Sequence, residues 1–125
     1  MPALPQQVQD AWNNKEKAVI LATVDQNGIP NAIYASCTAL YDEQTIVIAD
    51  NYFHRTRQNI QSGSSASVLF ITTEGTSYQI KGKIELITSG PIFDDMKSWN
   101  PTKHPGHAAA AIQVETVFSS AVQLL

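Results

Sequence analysis

Cysteine, arginine and long apolar runs are all scarce in this chain, and each shortage excludes a class of protein. The only cysteine is Cys37, so no intramolecular disulfide can form and nothing indicates an oxidising compartment. No apolar run approaches the ~20 residues that a membrane helix needs, and residues 1–14 lack the basic and apolar regions of a signal peptide. We therefore expect a soluble cytoplasmic protein that spans no membrane.

The charge balance argues against a nucleic-acid partner. The chain has 8 Lys and Arg residues against 11 Asp and Glu residues, which gives a net charge of −3. Proteins that bind nucleic-acid backbones owe much of their affinity to clustered positive charge. A local site for a small anion is still compatible with this balance.

The composition is that of one globular domain. Of the 125 residues, 43% are hydrophobic and 15% are charged, with 6 Gly and 6 Pro. This mixture excludes disorder, collagen and coiled coil. A chain of this length buries roughly two-thirds of its unfolded surface, so it needs neither a disulfide nor a metal to fold. We predict a single domain over residues 1–125.

Apolar periodicity predicts more strands than helices. Short runs rich in β-branched residues are bounded by turn signals such as Asn27-Gly28. Helical spacing is accompanied by Pro5 or Pro91 at a helix start and by Gly63 after a helix end. The six predicted strands are residues 18–24, 30–38, 45–49, 67–72, 77–88 and 112–117, and the predicted helices are residues 6–17, 51–62 and 92–99.

Six strands joined mostly by short turns predict a mainly β fold, either an antiparallel barrel or a sandwich. Closing a sheet removes its edges, which suits a small protein rich in strands. The longest predicted strand, residues 77–88, contains Gly82 at a point where a bend would be needed. We therefore favour the barrel.

The chain's only two arginines lie together, in the segment His-Arg-Thr-Arg-Gln-Asn at residues 54–59. This segment falls near the start of the second predicted helix, where unpaired N–H groups and the positive end of the helix dipole attract anions. Guanidinium, hydroxyl and amide groups are donors suited to a phosphate, which makes Arg55, Thr56 and Asn59 candidate ligands. The alternative is that both arginines only solvate a surface helix.

The remaining residues with reactive side chains form no recognisable site. The three histidines, His54, His104 and His107, match no zinc spacing, and Cys37 is the only source of a thiolate. A nucleophilic Cys37 would need a base and an activating environment, so a small buried thiol in a strand is the simpler interpretation. We predict no metal site and assign no catalytic residue.

The order of these features resembles that of a known superfamily. In chain order they are a helix, a strand ending at Val24, the turn Asn27-Gly28, the segment Pro-Asn-Ala-Ile-Tyr-Ala-Ser at residues 30–36, a strand ending at Ala49-Asp50, and the arginine segment at residues 54–59. The chain is similar over residues 8–117 to the small FMN-binding proteins of the pyridoxamine 5′-phosphate oxidase-like split-barrel superfamily. The resemblance implies a six-stranded antiparallel split β-barrel with two or three short helices.

The resemblance also implies a bound FMN and the residues around it. Superfamily members are usually homodimers with two FMN sites at the subunit interface. The phosphate ligands implied here are Arg55 and Thr56, helped by Asn59, while one residue of the long strand would approach the flavin from the partner subunit. The residues implied at the flavin ring or ribityl chain are Ala35, Ser36, Cys37, Ile48, Ala49, Asp50 and Gln79. The Asp50 carboxylate would oppose an anion, so we expect it to face away or to contribute only its main chain.

The tail of the chain separates it from the oxidases that give the superfamily its name. Those enzymes are longer and carry Arg and His in a C-terminal segment, whereas residues 119–125 contain neither. We therefore expect no pyridoxamine phosphate oxidase activity. The main hypothesis is an FMN-binding protein that carries electrons or acts as a small flavin-dependent reductase or oxidase. The alternatives are a non-enzymatic module that binds or senses FMN or another phosphorylated ligand, and a dimerisation domain without a cofactor.

Overall fold

The computed structural model describes residues 2–125, in which eight antiparallel strands form one curled sheet accompanied by three short helices. The strands are Val19–Val24 (β1), Pro30–Ala35 (β2), Thr38–Asp42 (β3), Thr45–Asp50 (β4), Ser65–Ile71 (β5), Ser77–Ile87 (β6), Ala108–Ser119 (β7) and Val122–Gln123 (β8). The helices are Gln6–Asn13 (α1), Arg55–Gln61 (α2) and Pro91–Trp99 (α3). The predicted mainly β split-barrel class is confirmed, with two more strands than expected.

The barrel is split between its two edge strands. The strand order is β2-β1-β5-β6-β7-β4-β3, with the short β8 paired to β7. The predicted strand at residues 30–38 is therefore two strands, because Ala35 pairs with Val19 whereas Thr38 pairs with Ile48 on the opposite edge. The two residues between them carry the chain from one edge to the other. This junction, at residues 36–37, becomes important for the candidate site.

The bend that closes the sheet occurs where the sequence predicts it. The pairing of β6 with β7 shifts register between Lys81 and Gly82, so that Glu115 is an extra residue on β7. A Cβ atom at Gly82 would lie 1.8 Å from the carbonyl oxygen of Gln113. Only glycine permits this close approach of the two backbones.

Two apolar layers lie on opposite faces of the sheet. On β4, Ile46 and Ile48 face the barrel interior, while Val47 and Ala49 pack in the second layer with Met96 of α3. Because side chains alternate along a strand, β4 is apolar on both faces, and this explains why all six of its residues are buried. The small alanines of β7 allow α3 to pack closely on the outer face.

Two predicted helix boundaries are wrong. The helix predicted at residues 6–17 ends at Asn13, and the backbone of Glu16 instead bonds to the carbonyl oxygen of Ile71 in β5. The helix predicted at residues 51–62 begins only at Arg55, and Asn51 does not cap it. Within residues 2–125, no helix is long and apolar enough to cross a membrane.

Candidate functional site

A buried ion pair holds the chain where β4 leads into α2. The Asp50 side chain is 1% exposed and accepts hydrogen bonds from Arg57 Nε at 2.7 Å, Arg57 Nη2 at 2.8 Å and the Phe53 N–H at 3.1 Å. The hydrogen bond to Asp50 raises the pKa of Arg57 above its usual range, against a smaller opposing effect of burial. Arg57 is therefore committed to the scaffold, and the Asp50 carboxylate faces away from the surface depressions described below.

A second polar network attaches the segment after α3 to the same corner. Asn51 and Asn100 exchange side-chain hydrogen bonds at 3.1 and 2.9 Å, and Asn51 Oδ1 also accepts the Gly106 N–H at 2.9 Å. The His107 N–H donates to the Asp50 carbonyl oxygen at 2.9 Å. Together these bonds fix the irregular segment 100–107, and with it His104, beside the start of α2.

Helix α2 is joined to β1 and β2 by side-chain hydrogen bonds. Asn59 Nδ2 donates to Thr23 Oγ1 at 3.0 Å, and Asn31 Nδ2 donates to Thr56 Oγ1 at 3.2 Å. Thr56 is only 1% exposed, so its hydroxyl positions Asn31 and does not reach the surface. These bonds leave Arg55 pointing outward at the start of the helix.

Arg55 borders a depression of about 310 Å³ that we call the polar depression. Arg55 is exposed, and its guanidinium has no hydrogen-bond or ion-pair partner within residues 2–125. The Asp25 carboxylate accepts the N–H groups of Asn27 and Ile29 at 2.8 and 2.9 Å and so shapes the loop that forms one wall. The residues that line the polar depression are Asp25, Ile29, Pro30, Asn31, Arg55, Gln58 and Asn59.

A second depression, of about 290 Å³, lies at the junction between β2 and β3; we call it the junction crevice. Tyr52 and His104 stand together at its border, where the Tyr52 hydroxyl and His104 Nδ1 share a hydrogen bond of 3.0 Å and the rings meet edge to face. The residues that line the junction crevice are Ile33, Tyr34, Ala35, Ser36, Cys37, Ala49, Asn51, Tyr52, Phe53 and His104.

Strand β2 connects the two depressions. Asn31 lines the polar depression and Ala35 the junction crevice, and four residues of extended strand span about 13 Å. One end therefore offers a guanidinium and amides, while the other offers small and aromatic side chains. This arrangement suits a ligand with an anionic group at one end and a planar ring at the other, which is the chemistry of FMN.

The structure brings together most of the residues predicted near a ligand, but not all. Arg55 and Asn59 line the polar depression, and Ala35, Ser36, Cys37 and Ala49 line the junction crevice. The side chains of Ile48, Asp50 and Thr56 are buried and do not reach either depression. Gln79 lies on β6 and lines a separate depression of about 320 Å³, so within one chain it is apart from the other predicted residues.

Several lining residues escaped sequence analysis. Asn31 lies between Pro30 and Ala32, whose side chains face outward, so the alternation along β2 could have indicated that Asn31 faces the opposite side of the strand. Tyr52 and His104 are separated by 52 residues, and only the Asn51 network brings them together. Cys37, expected in a strand, lies at the junction and is half-buried. Across residues 2–125, no three His, Cys, Asp or Glu side chains cluster so as to hold a metal ion.

Comparison with known proteins identifies the family to which this fold and site belong. The sequence matches the model of the pyridoxamine 5′-phosphate oxidase family over residues 4–121. The chain belongs to this family. The predicted superfamily is thereby confirmed, and the match includes every strand from β1 to β7. No curated protein sequence matches the chain at a significant level.

Solved structures of similar proteins have the same fold. HupZ of Group A Streptococcus is 28% identical, with a TM-score of 0.81 over 93% of both chains. A putative pyridoxamine 5′-phosphate oxidase from Lactobacillus delbrueckii is 19% identical, with a TM-score of 0.78 over 94% of both chains. An FMN-binding protein from Syntrophomonas wolfei is 18% identical, with a TM-score of 0.78 over 94% of this chain and 86% of that one. The last two, at this level of identity, support the fold alone.

Proposed function

We propose that this protein is an FMN-binding flavoprotein that transfers electrons or acts as a small flavin-dependent reductase or oxidase. The observation that carries the proposal is the pair of depressions joined by β2, one with polar donors and one with small and aromatic side chains. Membership of the pyridoxamine 5′-phosphate oxidase family supports it, and the FMN-binding protein from Syntrophomonas wolfei has the same fold.

The polar depression would hold the phosphate. The Arg55 guanidinium is free to form charge-assisted hydrogen bonds, which are about twice as strong as neutral ones. Asn31 and Gln58 contribute amide groups to the same lining. The buried Thr56 hydroxyl accepts a hydrogen bond from Asn31 and so positions its side chain. Because Arg57 is bound to Asp50, only one of the two arginines is available for this role.

The junction crevice would hold the flavin ring. Bound FMN supplies the redox chemistry, and the protein supplies binding, access and electrostatics. The backbone and small side chains of Ala35, Ser36 and Cys37 would lie along the ring edge, with Ala49 below. A hydrogen bond of 3.0 Å joins the Tyr52 hydroxyl and His104 Nδ1, so this pair would place polar groups that can carry a proton at the border of the crevice, close to the ring.

We also propose that two chains form a homodimer around this site. Ile29, just before the edge strand β2, and Tyr34 within it are 60% and 78% exposed, and an unpaired edge strand is a surface that proteins commonly cover. In such a dimer Gln79 of each subunit would approach the flavin of the other. The proposed location is the cytoplasm, where the unpaired Cys37 thiol would stay reduced.

A second candidate is a module that binds FMN or another phosphorylated ligand without catalysing a reaction. The polar depression favours it, because it is a separate concavity that could take a phosphorylated group without any ring in the junction crevice. The kinetics of flavin reduction by NAD(P)H or a protein donor, followed by reoxidation of the reduced flavin by dioxygen or another electron acceptor, separate the two candidates. Turnover supports a redox role, whereas a stably bound flavin with no turnover supports the binding module.

The absorption spectrum of the purified protein tests the proposal most directly. We expect flavin bands, FMN as the released chromophore, and binding of added FMN by the apoprotein. Arg55→Gln should weaken FMN binding about tenfold or more, which corresponds to about 1.4 kcal/mol, while Lys83→Gln on the outer face of β6 should leave it unchanged. A colourless protein whose melting temperature does not respond to FMN would contradict the proposal.

A further inference from the structure

The loop between β1 and β2 contains the chain's only Asn-Gly pair, Asn27-Gly28. Both residues are exposed, and the Asn27 side-chain amide has no hydrogen-bond partner within residues 2–125. Gly28 has a φ of 79°, and a Cβ atom placed on it would meet nothing within 4 Å. The Gly28 nitrogen is therefore an unshielded neighbour of a side-chain amide, and this is the arrangement in which asparagine is chemically least stable.

Such a pair can lose ammonia without an enzyme. The Gly28 nitrogen attacks Asn27 Cγ and gives its proton to a base in solution, the bond from Cγ to Nδ2 breaks, and ammonia leaves. The product is a cyclic imide in which the Gly28 nitrogen is bonded to both carbonyl carbons of residue 27. Water then opens the ring. Cleavage of the bond to Cγ leaves aspartate at position 27, whereas cleavage of the bond to the main-chain carbonyl carbon leaves isoaspartate, whose main chain runs through Cβ and Cγ.

Hydrogen bonds to Asp25 hold this loop closed. The Asp25 carboxylate accepts the N–H groups of Asn27 and Ile29 at 2.8 and 2.9 Å, and the Asp25 N–H donates to the Ile29 carbonyl oxygen at 3.0 Å. The Gly28 N–H donates to the Asp25 carbonyl oxygen at 3.1 Å, so the attacking nitrogen is engaged while the loop is closed. Exposed loops open at little cost in free energy. The attack therefore starts from the open loop, and Asp25 governs how often the loop opens.

The same loop is a wall of the polar depression, which Asp25 and Ile29 line together with Arg55. Aspartate at position 27 adds a negative charge to a loop that already carries the Asp25 carboxylate. Isoaspartate adds this charge and also lengthens the main chain between Asp25 and Ile29, whose hydrogen bonds close the loop. Because like charges repel, both products oppose an anion beside Arg55.

We propose that Asn27 is a site of spontaneous deamidation, restrained by Asp25, and that its products weaken anion binding in the polar depression as the protein ages. The modification itself is independent of the proposed function, whereas its effect on the phosphate of FMN rests on that function. Two sets of measurements therefore test the two parts separately.

Mass spectrometry of the folded protein tests the modification without FMN. After incubation at mildly alkaline pH, below the melting temperature, the tryptic peptide of residues 18–55 should gain the mass difference between an amide and a carboxylic acid. Fragmentation should place this change at Asn27, as a mixture of aspartate and isoaspartate. Asn13 is the internal control, because it is exposed but is followed by Asn14, whose side chain hinders the attack. An intact Asn27, or equal rates at Asn13 and Asn27, overturns the proposal.

Two variants of Asp25 test its restraint of the loop. Asp25→Ala removes the acceptor of two N–H groups and should accelerate deamidation about twofold to tenfold, the factor that corresponds to the net contribution of a hydrogen bond. Asp25→Asn is the matched control, because its side-chain oxygen can accept the same bonds without the charge, and it should deamidate at nearly the original rate. Equal rates in the two variants overturn the role of the Asp25 hydrogen bonds.

Two variants of Asn27 test the effect on binding. Asn27→Asp copies the added charge, while Asn27→Gln keeps a neutral amide whose longer side chain closes a ring far more slowly. At low ionic strength Asn27→Asp should bind FMN about twofold to fivefold more weakly than Asn27→Gln, as expected for one exposed charge pair, and salt should reduce this difference. Aged protein that contains isoaspartate should bind at least as weakly as Asn27→Asp.

The outcomes separate this inference from the proposed function. Equal affinities of Asn27→Asp, Asn27→Gln and aged protein for FMN would overturn the effect on anion binding. If freshly purified protein binds no FMN, the proposed function fails, and the modification stands or falls on the mass spectra alone. A protein that binds FMN and keeps Asn27 intact rejects this site without affecting the proposed function.

Discussion

Arg55 and Arg57 are separated by one residue, yet they belong to different regions of the molecule. Arg57 forms two hydrogen bonds to Asp50, whose side chain is 1% exposed, and is part of a buried network that fixes the corner between β4 and α2. Arg55 points outward beside the polar depression and has no partner in the described part of the chain. Identical side chains therefore serve the scaffold in one place and remain available to a ligand in the other.

The lysines show the same division. Lys15 donates to two backbone carbonyl oxygens and lies 4.9 Å from the centre of the Trp12 ring, whereas Lys17 has no partner among residues 2–125. Of the chain's 8 cationic side chains, those of Lys17, Arg55, Lys83 and Lys103 have no partner in the described part of the chain, and three of these four border a depression. Free cations in this protein therefore mark candidate binding surfaces, with Lys83 as the natural control.

Removing Asp50 should have the largest effect on stability. Asp50→Ala leaves Arg57 without its carboxylate and the Phe53 N–H without its acceptor. Loss of one partner of a buried ion pair costs about 3–5 kcal/mol, but the Arg57 side chain is 34% exposed, so about 2–4 kcal/mol is the expected loss. Urea denaturation measures this change in the free energy of unfolding.

The matched control is Arg55→Ala, which should change the free energy of unfolding by less than about 0.5 kcal/mol, as surface substitutions usually do. If both substitutions destabilise the protein equally, the distinction between scaffold and ligand-facing arginines is wrong.

Removing the Asn51 side chain should have the next largest effect. Asn51→Ala leaves the Gly106 N–H and the Asn100 amide without partners in a buried site, at a cost of about 1–3 kcal/mol. Because this network fixes the segment that carries His104, the hydrogen bond between Tyr52 and His104 should also weaken. Calorimetry measures the first effect, and the imidazole resonances of His104 report the second. Loss of stability with unchanged His104 resonances would show that other contacts place this histidine.

Much of the fold could be predicted from the sequence because its signals are local. Strand alternation, the Asn27-Gly28 turn and Gly82 each act over a few residues, and the structure agrees with them. The break between β2 and β3 was not predictable in the same way. Residues 30–38 have strand-like propensity throughout, and only the curling of the whole sheet decides that Thr38 pairs with Ile48.

The candidate site was predicted less completely, for a physical reason. The segment 54–59 contains both arginines, but sequence alone does not say which of them finds a buried carboxylate. Asp50 and Arg57 are seven residues apart with a loop between them, so no helical or strand spacing relates them. Likewise Lys17, Trp99 and Lys103 meet only because β1 and the segment after α3 approach the same junction.

Replacing Thr38 tests whether β3 carries an unsatisfied buried polar group. Thr38→Val keeps the shape of the side chain and removes a buried hydroxyl that has no partner within residues 2–125. We expect the apoprotein to be stabilised by about 1 kcal/mol, because an unsatisfied buried polar group is unfavourable. Thermal unfolding of the apoprotein measures this gain. A destabilised Thr38→Val variant would mean that the hydroxyl is already satisfied by water. Thr45→Val on the neighbouring strand β4, whose hydroxyl accepts a hydrogen bond from Gln113, provides the comparison.

The smallest expected effect concerns Lys15 and its pH dependence. Partial burial lowers the pKa of Lys15 below its usual value of 10.5, so the unfolded chain holds this proton more tightly than the folded chain does. Stability rises with pH wherever the unfolded state binds more protons. The protein should therefore gain a few tenths of a kcal/mol, on the order expected for a half-exposed charge, as pH rises through the lowered pKa towards 10.5. Lys15→Met should remove this rise in stability, while Lys17→Met, which retains Lys15, should keep it. The free energy of unfolding, measured across this pH range, compares the two variants. The same pH dependence in both would show that Lys15 is not its source.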